Sequence, residues 1–249
     1  MNNGKLNDDS GFEPIWEPLI RVEATFHPGP GYEYLNEARL GESEPCEMAP
    51  MISVQTNFRP VAETPRRLSI QEYHKLVANG ALTTDDRVEL LEGFLVQKKP
   101  SSPPRDSTLQ LLNHELIHVL PAAWDMRVRC AVTLSDSEPE PDIAIVRGTN
   151  RSYFRRHPGP ADIGALVEVA DSTLLGDRAD KGRIYARANV PIYWIVNLID
   201  RQIEVYEQPS GPTSAPAFAK TTTYREGDSI PLVLDGKAVA TYAVKDLLP

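Results

Sequence analysis

Residues 163–170 read Ile163-Gly-Ala-Leu-Val-Glu-Val-Ala170, an almost unbroken apolar run holding one acid. Eight residues are too few for a typical buried helix and suit a strand. A strand apolar on both sides belongs in the middle of a sheet with both faces covered. Period-2 alternation puts Gly164, Leu166, Glu168 and Ala170 on one face. An ionised carboxylate there is costly to bury without a partner. Glu168 is therefore either solvated at a strand end or held for chemistry.

Outward from this strand the pattern is mixed. Ser69-Ile-Gln-Glu72 has the form of a capping box that starts a helix, and Gly80 suits its stop. Residues 87–99 read as two short strands about a turn at Glu92-Gly93. Residues 106–120 carry Leu109, Leu112, Leu116, Val119 and Leu120 at helical spacing, ended by Pro121. Strands are expected at about 126–134 and 142–147. Residues 177–189 read as a helix, and strands follow at 192–198 and 202–208. A Pro/Ser/Gly loop over 209–217 precedes short strands near 218–224, 230–234 and 238–244. Helices interleaved with strands make the class α/β or α+β.

Residues 1–64 differ. They are rich in Pro, Gly and Glu with no sustained period, and read as an extension, partly disordered or draped over the domain. Phe12, Ile15, Trp16, Leu19 and Ile20 could dock as one short element. This stretch holds four Lys/Arg and eleven Asp/Glu, net −7. The remaining 22 basic and 24 acidic residues leave residues 65–249 at net −2. Near-neutrality there permits a nucleic-acid partner without arguing for one. No run of about 18 apolar residues is present, which excludes a spanning helix. The N-terminus lacks a secretory pattern, and Cys46 and Cys130 have no metal-like spacing. A cytoplasmic setting with free thiols is expected.

Asp142 opens a second apolar strand, Asp142-Ile-Ala-Ile-Val146. Alone, a Pro-Asp pair at a strand start is turn chemistry; its value is joint with Glu168. Two acids from strands of one sheet can converge on a hard cation, Mg²⁺ or Mn²⁺ rather than zinc. Glu89, in the first hairpin, either completes such a site or is a surface strand acid. Arg178, Lys181 and Tyr185 form one stripe on the following helix. Lys181 could serve a water or a phosphate, or simply pair with Asp177 or Asp180 in solvent.

One motif competes. His114-Glu115-Leu-Ile-His118 is a literal H-E-x-x-H, the pattern of a zinc peptidase helix. A third ligand would have to come from His157, Glu138 or Glu140, and both histidines lie beside the apolar face. Phosphate-loop, dinucleotide and nucleophile-elbow motifs are absent.

The ordered set of motifs resembles the Uma2 family of restriction-endonuclease-like proteins. It comprises Val88-Glu-Leu-Leu-Glu-Gly93, Lys99-Pro-Ser-Ser-Pro103, Glu138-Pro-Glu-Pro-Asp-Ile-Ala-Ile-Val146 and Leu166-Val-Glu-Val-Ala-Asp-Ser-Thr173. Asp177-Arg-Ala-Asp-Lys181, Tyr185-Ala-Arg-Ala and Pro191-Ile-Tyr-Trp-Ile-Val-Asn197 continue it. The resemblance runs from about Arg67 to Pro249. It implies a PD-(D/E)XK core, a central mixed sheet flanked by helices, and Mg²⁺-dependent hydrolysis of DNA. By the same resemblance Asp142, Glu168, the Val169 backbone carbonyl and Glu89 hold the metal, and Tyr185 supports Lys181. The usual lysine of the motif falls on Ala170, and Lys181 matches the residue that replaces it. Arg105-Asp106 stands where many relatives carry a His. A homodimer would suit an enzyme that cuts both strands, though no residue pattern shows one. A nuclease fold kept only for binding or assembly is the remaining alternative.

Overall fold

The computed structural model describes residues 65–249; the expectations for residues 1–64 and Cys46 lie outside them. Contacts divide the chain at Pro60, so residues 61–249 form one unit.

Helix α1 (Ile70–Ala78) begins at Ser69, whose side chain and that of Glu72 satisfy each other's backbone amides. Strands β1 (Val88–Leu91) and β2 (Phe94–Gln97) pair through the Glu92-Gly93 turn, where both residues have positive φ, as a tight primed turn requires. Helix α2 spans Pro103–Ile117, starting three residues earlier than expected. Ser102 caps it and Pro103 takes the first position, where a missing N–H costs nothing. Its C-cap is His118, ahead of Pro121.

Six strands make the main sheet: β3 (Trp124–Val128), β4 (Ile143–Arg147), β5 (Ile163–Ala170), β6 (Ile192–Asn197), β7 (Gln202–Pro209) and β8 (Phe218–Arg225), in sequential order. Only β5 and β6 are parallel; all other neighbours are antiparallel. The strand expected over 126–134 stops at Val128. Arg129 turns to φ +50°, and 129–134 bonds instead to residues 137–142 and Pro158. Between β5 and β6 the chain crosses over through α3 (Leu174–Gly176), a wide turn (Asp177–Lys181) and α4 (Gly182–Arg187). In the wide turn Gly182 N–H bonds back to the Asp177 carbonyl, five residues earlier, so the expected regular helix carries one π turn. Strands β9 (Ser229–Leu234) and β10 (Lys237–Ala243) form a separate hairpin.

Every residue of β5 is buried. Ala165, Val167 and Val169 pack with Leu109, Leu112 and Leu116 of α2 and with the β9 hairpin. Leu166 and Ala170 pack with Ile184 and Tyr185 of α4 on the other side. Covering both sides of the sheet removes this apolar surface from water, the main favourable term in the fold. One expected position moves. Between β4 and β5 the register shifts at Ile145/Val146, opposite Ala165 and Ile163. A Cβ on Gly164 would overlap the Trp124 indole and reach within 3.0 Å of Leu234, so Gly164 faces the α2 side and not the Glu168 side.

Candidate metal and phosphodiester site

Ala144 and Val146 of β4 pack in the same layer as Leu166 and Ala170 of β5. Alternation therefore puts Asp142 and Glu168 on one face of the sheet. The register Ile143 opposite Val167 sets Asp142, one residue earlier, beside Glu168. A backbone bond fixes this: Val169 N–H donates to Asp142 Oδ2 at 2.8 Å.

Glu168 is fully buried. Its Oε1 accepts from Lys181 Nζ at 2.7 Å and from Tyr185 O–H at 2.9 Å. Its Oε2 is buried with no hydrogen-bond partner among the described residues. Burial pushes the Glu168 carboxyl up, and Asp177, Asp142 and Glu89 add to this while Lys181 opposes it. Burial works to lower Lys181, but Glu168, Glu89 and Asp177 outweigh it and the ammonium stays charged. Lys181 thus pairs with Glu168 and Glu89 rather than with Asp177 or Asp180 in solvent. Asp180 pairs with Arg183.

Glu89 sits on β1 with Oε2 accepting from the Glu140 N–H at 3.0 Å and Oε1 at 3.8 Å from Lys181 Nζ. Arg178, expected on the stripe with Lys181 and Tyr185, turns away to Glu204 at 2.9 Å. The π turn separates them: it changes the winding between residues 177 and 182, so a spacing of three no longer keeps the two side chains on one face.

Two residues were missed as site members. Arg105, at the start of α2, donates to the Val169 carbonyl at 2.9 Å and to Asp142 Oδ2 at 2.8 Å. The Ser102-Pro103-Pro104 sequence marks the helix start but carries no signal for what Arg105 faces. Asp177 is buried in the π turn and accepts from Thr173 O–H at 2.6 Å; burial raises its pKa. Its burial depends on the packing of the π turn, which the sequence pattern does not encode.

Glu89, Arg105, Asp142, Asp177 and Lys181 line one cavity of about 500 Å³. A second cleft of about 1040 Å³ shares Arg87, Lys98, Arg129 and Glu140 with it. The donors match an ion: Glu168 offers an orphaned buried oxygen, Asp142 offers an Oδ1 that accepts no hydrogen bond among the described residues and lies 3.7 Å from Arg129 Nε, and Val169 offers a carbonyl. These are hard oxygen donors of the kind that suit Mg²⁺ or Mn²⁺. Among the described residues no three His, Cys, Asp or Glu side chains converge as a metal cluster. His114 and His118 are exposed on α2, stacked edge to face at 5.4 Å, with no third ligand gathered to them.

Residues 70–236 match the Uma2 family, described as "Putative restriction endonuclease". The chain belongs to the Uma2 family. Every site residue named above lies inside the matched Uma2 segment. Among solved structures, this Uma2 chain is similar to a putative nuclease belonging to DUF820 from Anabaena variabilis ATCC 29413. The two share 16% identity at a TM-score of 0.51, over 72% of this chain and 97% of that one. At that identity the likeness establishes the fold, with its central mixed sheet. Comparison with curated proteins gives no match. Among the described residues no helix is long and apolar enough to cross a membrane.

Proposed function

We propose that this Uma2 chain is a divalent-metal-dependent nuclease that hydrolyses phosphodiester bonds in DNA. The observation that carries this is the divided carboxylate of Glu168: one oxygen is held by an ammonium and a phenol, and the other is buried with no hydrogen-bond partner among the described residues. Buried polar atoms are satisfied in the large majority of cases, so an orphaned carboxylate oxygen calls for a partner.

Asp142, Glu168 and the Val169 carbonyl are the groups that would hold Mg²⁺ or Mn²⁺. When bound, such an ion polarises a phosphodiester and lowers the pKa of a water. Lys181 is kept as a cation between two acids, so it donates to a water or a phosphate oxygen and stabilises charge that builds there. Tyr185 holds the Glu168 oxygen that faces Lys181. Glu89 acts through Lys181, fixing its other side.

The second cleft supports a polyanionic substrate. It is lined by Arg87, Arg127, Arg129, Arg155 and Arg156 against Glu138 and Glu140. Arg87 and Arg155 have no acid partner among the described residues, and Phe154 is 81% exposed beside Arg155. Free guanidinium groups suit phosphates, and an exposed ring suits a base. Because this cleft adjoins the acid site, a strand lying in it leads to Asp142.

The test is cleavage of plasmid and single-stranded DNA by the full chain in Mg²⁺ or Mn²⁺. Asp142→Ala and Glu168→Ala, combined, should abolish it. A double variant that cleaves as fast as wild type refutes the assignment.

A further inference from the structure

The first turn of α2 brings a permanent cation onto two of the three groups assigned to the ion. Arg105 Nε donates to the Val169 carbonyl at 2.9 Å, and Arg105 Nη2 donates to Asp142 Oδ2 at 2.8 Å. Glu168 and Asp177 attract the same guanidinium from further off. It is 15% exposed, and Asp142 is 3% exposed. An arginine cannot shed its proton in the working pH range. One full positive charge therefore already lies against two of the three donor groups, in a setting where water screens it poorly, and Arg129 Nε stands 3.7 Å from the other Asp142 oxygen.

We propose that Arg105 is a displaceable stand-in for the divalent ion. In the metal-free chain it satisfies Asp142 and the Val169 carbonyl and so keeps the donor set in shape. For the ion to bind, the guanidinium must move off the Val169 carbonyl and back from Asp142, since two cations this close repel in a poorly screened site and crowd the one carbonyl oxygen they share. A phosphodiester gives it somewhere to go, because the planar fork of arginine matches two phosphate oxygens. The cavity that Arg105 lines is also lined by Lys99 and Lys181, so a phosphate drawn there lies within the same walls. The consequence is linkage. Ion alone binds weakly, phosphodiester strengthens it, and by reciprocity the ion strengthens phosphodiester binding by the same factor. This rests on the metal reading above and adds a condition to it.

The experiment is calorimetric titration of MnCl₂ into the full chain, alone and with a phosphorothioate DNA duplex. Wild type should bind Mn²⁺ about tenfold or more tightly with duplex present, within the usual range of coupling. Arg105→Gln should bind Mn²⁺ about tenfold more tightly than wild type without duplex, and the duplex should then add little. Arg105→Lys should fall between. If Arg105→Gln folds poorly without metal, its melting temperature should rise more steeply with Mn²⁺ than that of wild type. An Mn²⁺ site that disappears in Glu168→Gln yet is equal or weaker in Arg105→Gln overturns the stand-in and leaves the metal site standing. No Mn²⁺ binding by wild type with duplex, or by either Arg105 variant, overturns both.

Discussion

Lys181 and Glu168, on the crossover and on the central strand, form an ion pair at 2.7 Å with both ends shut away from water, at 11% and 1% side-chain exposure. Breaking such a pair leaves one charge buried without compensation, which is far more costly than losing an exposed pair. Lys181→Met should lower stability by about 2–4 kcal/mol at neutral pH. Burial raises the folded Glu168 pKa above its ordinary value of 4.5, so its charged form weighs against folding increasingly as pH rises above that value. The variant should therefore regain stability as pH falls and Glu168 takes up a proton. Urea unfolding of Lys181→Met, Glu168→Gln and the double variant should give a coupling of about 1–3 kcal/mol. Additive losses would mean the two groups do not depend on each other.

Glu204 behaves in the opposite sense. Burial pushes its carboxyl up, but hydrogen bonds from Arg178, Asn197, Tyr206 and Gln202 outweigh that and bring it down to about 2. A lowered folded pKa stabilises the fold above the ordinary value of 4.5, and that stability is lost as pH falls from 4.5 to about 2. Arg178 is 37% exposed, so water discounts the effect to about 1–3 kcal/mol. The stability gap between wild type and Glu204→Gln should close across that window. A gap that stays constant with pH would show that Glu204 is not held ionised by these partners.

The cleft beside the acid site gives a salt-dependent signature. Each phosphate contact released from protein lowers the slope of log K against log salt by about 0.9 for duplex DNA. Arg87→Ala with Arg155→Ala should flatten that slope by about 2, equally for unrelated sequences. Anisotropy titrations over a salt series measure this. An unchanged slope would take the strand's path elsewhere.

Gly164 tests the packing that holds β5 in place. A methyl group there must displace the Trp124 indole and press on Leu234. Gly164→Ala should cost about 1–3 kcal/mol, as overpacking does in a filled core. Thermal unfolding reads it directly, and a melting temperature within a degree or so of wild type would contradict the contact.

Much of the architecture was legible because local chemistry and burial agreed. The capping box at Ser69, the Glu92-Gly93 turn and the all-apolar β5 each name their element without tertiary help. Glu168 stands out because an acid in an apolar strand needs a reason, and Asp142 gains meaning only jointly with it. What was hidden depends on long-range contact. Nothing near Gly164 announces a register shift, which exists only against β4. The strand after Val128 is cut short by bonds to residues 137–142, which no local pattern encodes. Arg105 lies 64 residues from Val169, so its grip on that carbonyl belongs to the folded chain alone.

The π turn over Asp177–Lys181 decides where this segment tolerates a change of length. Its extra residue widens one turn at the expense of regular hydrogen bonding. Deleting Ala179 would let that turn close to an ordinary one while Lys181 and Tyr185 keep their phase. A residue removed from the regular turns that follow has no slack to draw on and would rotate one side of the segment by about 100° against the other. The irregular stretch is thus the one place where the chain can shorten without parting these side chains from Glu168.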